Sequence, residues 1–332
     1  MNNLIRIFGS GEWGLAVARH LLKNNCPIEI FSRDINKIKE AFDLNSKEHS
    51  NIFLRNISDI KNAQNNNKNI NVYNIIAVSS VGFSDIILKY INYFSQQKSL
   101  VWLTKGIDHN SGLLFHQLID QNLSKKINKC ILSGPSFARD LINDKKIEIS
   151  VVSTNKYLEQ SIIEIFSSKN FLLVPTNDIV GVQISNILKN IVAILSGIAI
   201  THGRNKTDIM KLIKIAKLDV KSISKDIRDL DKKYNVTEEE CLQLLESPAC
   251  HGDMILSCFN IQSRNYRFGV LIGQGETCEG AIKSIGTVEG YLCTKTLFEN
   301  KYYNNKLSVV LAAYNILFNN KAADEVLNRI FN

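Results

Sequence analysis

Residues 4–18 read LIRIFGSGEWGLAVA: an apolar run, a glycine-rich turn, and the opening of a second apolar stretch. Gly9, Gly11 and Gly14 have the G-x-G-x-x-G spacing that joins a strand to a helix in dinucleotide-binding βαβ units. In that reading Gly9 permits the tight turn, Gly11 lets the backbone approach a pyrophosphate, and Gly14 lets helix and strand pack closely. The helix N-terminus adds N–H donors and a partial positive charge. A merely tight turn gives the same spacing, but here the strand before and the helix pattern after both agree. A second strand-like run follows about 20 residues later and leads into Ser32, Arg33 and Asp34. An acid there would bind the adenosine ribose hydroxyls of NAD, whereas an arginine takes the 2′-phosphate of NADP or stacks on adenine. With both present, the choice stays open. Glu12 puts a carboxylate inside the loop. Held 4 Å from a phosphate it would cost about 4 kcal/mol at an effective dielectric near 20, but about 1 kcal/mol if solvated. The loop therefore predicts a Glu12 side chain turned to solvent, with only its backbone N–H offered to the ligand.

Outward from this loop, apolar runs at 4–8, 28–31, 75–78, 100–103, 130–132 and 149–152 read as buried parallel strands. Helical patterns at 13–23, 84–94 and 113–123 lie between them. That alternation predicts a doubly wound α/β sheet with right-handed crossovers. The polar stretch 62–71 (NAQNNNKNIN) reads as a surface loop. After a further strand-like run at 171–174 the pattern changes to long helices. The expected organisation is a Rossmann-like domain over residues 1–178 and an all-helical domain over residues 179–332, and no internal repeat is present.

The composition bounds the function. At 332 residues, 45% hydrophobic and 22% charged, the chain has the make-up of a globular protein of about two domains. No apolar run reaches the roughly 18–20 residues that span a bilayer, and no signal peptide is evident at the N-terminus. The seven cysteines are odd in number and form no C-x-x-C pair. This argues for reduced thiols in the cytoplasm and against a disulfide frame or a metal site. The net charge of +8 suits anionic partners. Residues 204–233 carry the densest lysines, but without interleaved aromatics and at amphipathic spacing. They read as a solvated helix face and not as a nucleic-acid surface.

Four stretches carry candidate chemistry. LTKGI (103–107) sits at the carboxyl end of a predicted strand, where open sheets bind ligands. Lys105 is then either a cofactor-crevice lysine or a surface lysine before a turn glycine. LSGPSFA (132–138) breaks a strand at Gly134 and Pro135; its amides and Ser136 form either an anion-binding turn or a plain structural one. GVQISNILKNIVAILSG (181–197) is apolar nearly all round, with Gln183, Asn186, Lys189 and Asn190 as a polar stripe. A buried lysine costs several kcal/mol unless it is paired or its pKa falls, and a lowered pKa is what a proton donor needs. The alternative is a snorkelling structural lysine. QSRNYRFGVLIGQG (262–275) places Ser263 as an N-cap before Arg264 and Asn265. An arginine at a helix start opposes the dipole but suits a phosphate. Thr237 and Glu240 read as an ordinary capping box.

Taken in order, GSGEWG, LTKGID, LSGPSFA, GVQISNILKNIVAI, HGDMILSC, QSRNYRFGVLIGQG and TVEGY resemble the NAD(P)-dependent glycerol-3-phosphate dehydrogenases over roughly residues 4–300. The resemblance implies an enzyme that reduces dihydroxyacetone phosphate to sn-glycerol 3-phosphate for glycerophospholipid synthesis, cytoplasmic and homodimeric, with no metal, nucleic-acid partner or membrane insertion. It implies Lys189, Lys105 and Asp253 as catalytic residues, with Lys189 transferring the proton. Substrate contacts fall on Lys105, Gly134, Ser136, Lys189, Asp253, Ser263, Arg264 and Asn265. Cofactor contacts fall on Gly9, Gly11, Glu12, Trp13, Gly14, Arg33, Lys105, Ala138, Arg264, Thr287 and Glu289. The chain departs from the family pattern at Glu12, at Val78-Ser79-Ser80, and over residues 201–217. Two other readings are a cofactor-binding sensor or scaffold with weakened catalysis, and a related two-domain hydroxy-acid dehydrogenase.

Overall fold

The computed structural model describes residues 2–42, 50–63, 70–123, 126–300 and 308–331. Contacts divide the chain into two units: Met1–Thr104 with Phe115–Pro175, and Lys105–Leu114 with Thr176–Asn332.

The first unit is built as β1 (Asn2–Phe8), α1 (Glu12–Lys23), β2 (Ile28–Ser32), α2 (Ile35–Ala41), β3 (Ile52–Asn56), β4 (Ile70–Ile76), α3 (Ser80–Lys89), α4 (Ile91–Phe94), β5 (Ser99–Trp102), α5 (Phe115–Asn122), β6 (Asn128–Ser133), α6 (Ala138–Ile142), β7 (Ile147–Ser153), α7 (Lys156–Phe166) and β8 (Phe171–Pro175). Its eight strands lie in the order β3-β2-β1-β4-β5-β6-β7-β8. The reversal of order beside β1 is the switch point at which such sheets bind ligands. The central strands are buried along their length, as their continuous apolar runs require.

Three expectations need correcting. β3 was not anticipated: its burial alternates and it lies at the sheet edge, so it lacks the continuous apolar run of a buried strand. β7 pairs antiparallel with β6, not parallel. The connection between them holds only the five-residue helix α6, too little to form a full helical crossover. The helix expected over 84–94 starts earlier, because Ser79 Oγ accepts from Gly82 N at 3.3 Å and caps α3 at Ser80, and it is interrupted at Tyr90, whose φ of −115° is not helical. The departure at Val78-Ser79-Ser80 thus serves as a helix cap. Of the polar stretch 62–71, residues 64–69 lie outside the described residues, and Ile70 and Asn71 already belong to β4.

The apolar run of β1 hides a charge. Arg6 is 5% exposed, donates from Nε to Glu29 Oε2 at 2.7 Å on the neighbouring strand, and reaches Tyr93 Oη at 3.0 Å. Tyr93 Oη donates to Asn74 Oδ1 at 2.7 Å, extending the network across three adjacent strands.

The second unit is helical: α8 (Ile179–Thr201), α9 (Lys206–Asp231), α10 (Glu238–Glu246), α11 (Asp253–Cys258), α12 (Arg264–Gly273), α13 (Cys278–Ile285), α14 (Glu289–Glu299), α15 (Ser308–Leu317) and α16 (Ala323–Phe331). At 23 residues and mean hydropathy 1.6, α8 is long and apolar enough to cross a membrane, contrary to the expectation that no run would be. Here 83% of that window is buried inside the protein. Helices α9, α11, α12, α14 and α15 pack around it. The α12 contact is backbone to backbone: a Cβ at Gly269 would lie 2.0 Å from Ile194 O, and one at Gly197 2.2 Å from Tyr266 O. Asp178 caps α8 through Gly181 N at 2.8 Å and pairs with Arg228 of α9 at 2.7 Å. α9 is the amphipathic helix that its lysines implied, with Ile209, Leu212, Ile213, Val220, Ile223 and Ile227 on its buried side. Within 201–217, Arg204 bonds Asn328 and lies over the Phe331 ring, and His202 meets Asp324 at 2.9 Å. That stretch therefore anchors α16.

Replacing Glu29 with Ala strands the buried Arg6 charge and should lower stability by about 3 kcal/mol. Exchanging Arg6 and Glu29 together for Met and Leu should restore most of it. Denaturant unfolding of the three proteins checks both statements.

Candidate active site

In the first unit the glycine turn is shaped from both sides. Gly9 has φ +120°, and a Cβ there would lie 2.5 Å from Ala77 O. A Cβ at Gly14 would lie 2.3 Å from Gly9 O, so the helix rests on the turn. At Gly11 a Cβ would meet nothing within 4 Å: the turn is closed toward the sheet and open at its tip. That is the space a pyrophosphate needs, with the first N–H groups of the 12-residue helix α1 beside it. The residues present fit a dinucleotide. Glu12 is exposed at the first position of α1, where a carboxylate complements the helix dipole. Trp13 packs partly against the core.

The end of β2 resolves into distinct roles. Ser32 Oγ lies 2.6 Å from Ser10 Oγ and ties β2 to the glycine turn. Asp34 accepts from Asn36 N at 3.0 Å and Lys37 N at 3.2 Å, capping α2. Arg33 is exposed between them. Farther along, Gly134 is pressed against Ile149, whose Cα would lie 2.7 Å from a Cβ. Ser136 Oγ donates to Gly134 O at 3.0 Å, so this turn braces itself, and Ala138 is buried at the start of α6.

The second unit gathers the ionisable candidates. Asp253, 2% exposed at the start of α11, accepts from Lys105 Nζ at 2.5 Å through Oδ2 and from Lys189 Nζ at 3.3 Å through Oδ1. Lys189 Nζ also donates to Ser257 Oγ at 3.1 Å. Burial pushes the Lys105 ammonium down to about 8, with the Lys189 charge acting the same way and Asp253 opposing. The polar stripe of α8 divides. Gln183 Nε2 donates to Ile179 O at 2.9 Å and Asn190 Nδ2 to Asn186 O at 3.2 Å, both within the helix. Asn190 Oδ1 faces outward and accepts from Asn265 Nδ2 at 2.8 Å, while Asn265 Oδ1 accepts from Gly290 N at 2.8 Å. Ser263 caps α12 through Tyr266 N at 3.3 Å, leaving Arg264 exposed in the first turn. Thr287 is exposed before α14, and Glu289 opens that helix with Oε1 3.3 Å from His109 Nε2.

The structure thus joins Lys105, Lys189 and Asp253 directly, and Asn265 to the residue after Lys189. Gly9, Gly11, Glu12, Trp13, Gly14, Arg33, Gly134, Ser136 and Ala138 belong to the first unit. Residue reading missed Ser257, His109 and the Asn190–Asn265 bond. Ser257 was within reach: it lies four residues after Asp253, on the same helix face.

An α/β unit whose glycine turn leaves space for a pyrophosphate, and a helical unit with two lysines on one carboxylate, suit an NAD(P)-dependent oxidoreductase. Residues 4–159 match the model of the NAD-dependent glycerol-3-phosphate dehydrogenase N-terminus, and residues 178–328 match that of its C-terminus. The chain belongs to this family. It is 31% identical over 331 residues to the glycerol-3-phosphate dehydrogenase [NAD(P)+] of Francisella tularensis subsp. novicida, covering 98% of this chain and 95% of that protein. Its fold is that of the glycerol-3-phosphate dehydrogenase of Coxiella burnetii (TM-score 0.78, 20% identity, 99% and 98% of the two chains). The enzyme of Saccharomyces cerevisiae shares it too (TM-score 0.80, 16% identity, 100% of both chains).

Because the Asp253 carboxylate is what holds the Lys105 charge in place, Asp253→Asn should move the Lys105 titration below its value of about 8. Trace acetylation across pH, read by peptide mass spectrometry, measures it.

Proposed function

We propose that this enzyme reduces dihydroxyacetone phosphate to sn-glycerol 3-phosphate through the site formed by Lys105, Asp253 and Lys189. The observation that carries the reading is the pair of ammonium groups held on one buried carboxylate, in a chain of this family. The dinucleotide, when bound, supplies the hydride. As charge builds on the carbonyl oxygen, Lys189 donates the proton and Lys105 offsets the negative charge. Asp253 fixes both ammonium groups, and Ser257 steadies Lys189. Arg264, exposed at the start of α12 beside Asn265, takes the substrate phosphate and so fixes the carbon to be reduced. Within the second unit Ser263 adds a substrate contact, and within the first Trp13 and Ala138 add cofactor contacts.

A second assignment of the proton is favoured by one observation: burial brings Lys105 to about 8, a value suited to proton exchange. Lys105→Arg separates the two, since it keeps the charge but not the titration. If Lys105 only offsets charge, the variant keeps activity within about tenfold and loses the alkaline fall in rate. If Lys105 donates, the loss is about 10²- to 10⁴-fold. In the wild type, reduction requires the protonated lysine and falls as pH rises through about 8; oxidation of glycerol 3-phosphate rises over the same range only if Lys105 exchanges the proton. Lys189→Ala should lower turnover about 10²- to 10⁴-fold with cofactor affinity unchanged. Nicotinamide absorbance with dihydroxyacetone phosphate reads each outcome.

The end of β2 supports NADPH over NADH. Asp34 spends its carboxylate oxygen on capping α2, and the exposed Arg33 offers a partner to a 2′-phosphate. Arg33→Ala should weaken binding of 2′,5′-ADP roughly 10- to 100-fold and leave 5′-AMP unaffected, as titration calorimetry measures. The seven free cysteines support a reducing, cytoplasmic setting. Supply of glycerophospholipid synthesis and a homodimeric state complete the reading, on the strength of the family.

A further inference from the structure

Lys105 reaches Asp253 from the segment Lys105–Leu114, which the chain threads between β5 and α5 of the first unit yet which belongs to the second. Something must hold that segment in place. Asp108, 5% exposed, accepts from Ser111 N at 2.9 Å and Ser111 Oγ at 2.5 Å. Backbone bonds from Asp108 N to Leu113 O (3.0 Å) and from Gly112 N to Asp108 O (2.9 Å) close the turn. The turn is then tied to α14. His109 Nδ1 lies 2.8 Å from Thr296 Oγ1 and His109 Nε2 3.3 Å from Glu289 Oε1. Glu289 and Thr296 are seven residues apart, two turns along one helix face. The Glu289 carboxylate can only accept, which puts the ring hydrogen on Nε2, and Nδ1 then faces the Thr296 hydroxyl, which can donate to it or to Leu292 O at 3.0 Å. The imidazole thus meets two polar side chains held by one rigid helix.

That helix is in turn locked to the Lys189 helix. A Cβ at Gly290 would lie 2.6 Å from Asn190 O, and Gly290 N, Asn265 and Asn190 form a continuous hydrogen-bonded path. The first turn of α14 therefore has a fixed place relative to Lys189, and His109 passes that registration to the segment carrying Lys105.

We propose that His109 is a positioning residue: by bonding Thr296 and Glu289 it clamps the Lys105–Leu114 turn to α14 and sets where the Lys105 ammonium stands on Asp253. The proposal rests on the function proposed above only in assigning Lys105 to the reaction; the clamp itself is a property of the fold. His109→Ala should lower turnover roughly 10- to 100-fold, the scale of an ångström-sized misplacement. The affinity for 2′,5′-ADP, held by the first unit, should stay unchanged. Once released, Lys105 gains solvent, and its titration should rise from about 8 toward the ordinary lysine value. Trace acetylation with mass spectrometry reads that shift without any catalytic assay. His109→Gln, which keeps a side-chain donor, should recover most of both quantities, and Thr296→Val should reproduce the alanine variant in milder form. An unmoved Lys105 titration in His109→Ala and Thr296→Val overturns the proposal, whatever happens to turnover. If the wild type does not reduce dihydroxyacetone phosphate while the titration shifts as described, the function proposed above fails and the clamp stands.

Discussion

A helix without an exposed face has to be enclosed, and α8 sets that demand on the whole second unit. Nearly every one of its 23 residues is buried, so neighbouring helices must cover it on all sides. Two of them approach to backbone contact, α12 at Gly269 and α14 at Gly290. The same enclosure decides the chemistry. Lys189, 13% exposed, and the buried Asn190 are polar groups on an otherwise apolar helix, and each is met by a partner from another helix. Asp253 and Ser257 meet the first, and Asn265 meets the second. A helix that needs burial for stability thus assembles the groups that form the site.

The electrostatics follow from the same enclosure. Two ammonium groups share one carboxylate that is 2% exposed, and this set carries a surplus of positive charge where solvent screening is weak. Such a surplus is held ready for negative charge that develops during a reaction. The glycine turn of the first unit works differently. It offers backbone N–H groups and space, no side-chain cation, and tolerates Glu12 because that carboxylate stands in water at the favourable end of α1.

Much of this was legible in the residues, for identifiable reasons. Glycine spacing between an apolar run and a helical pattern reports local geometry, so the nucleotide turn could be read directly. A lysine on the polar stripe of an otherwise apolar helical pattern (181–197) marked the position as unusual, though the structure leaves its side chain 13% exposed and not fully buried. What stayed hidden depends on long-range pairing. The antiparallel turn at β7, the edge strand β3, and the charge network around Arg6 are set by which strand lies beside which, and no local pattern records that. His109 escaped for the same cause: its partners, Glu289 and Thr296, are 180 and 187 residues away. The stripe on α8 shows the middle case, since spacing identified its members but not that Gln183 bonds back to its own helix.

The path of residues 105–114 has a consequence for how such a protein can diversify. The chain leaves the sheet after Thr104, contributes ten residues to the helical unit, and returns to the sheet unit at Phe115. The boundary near residue 176 is therefore not a clean seam. A gene fusion or exchange cut there would deliver a helical unit stripped of Lys105, with Asp253 facing Lys189 alone. The nucleotide-binding half would carry the orphaned loop into a foreign context. Threading of this kind makes the two units hereditary partners, so their specificities have to change together within one gene and cannot be shuffled as separate modules.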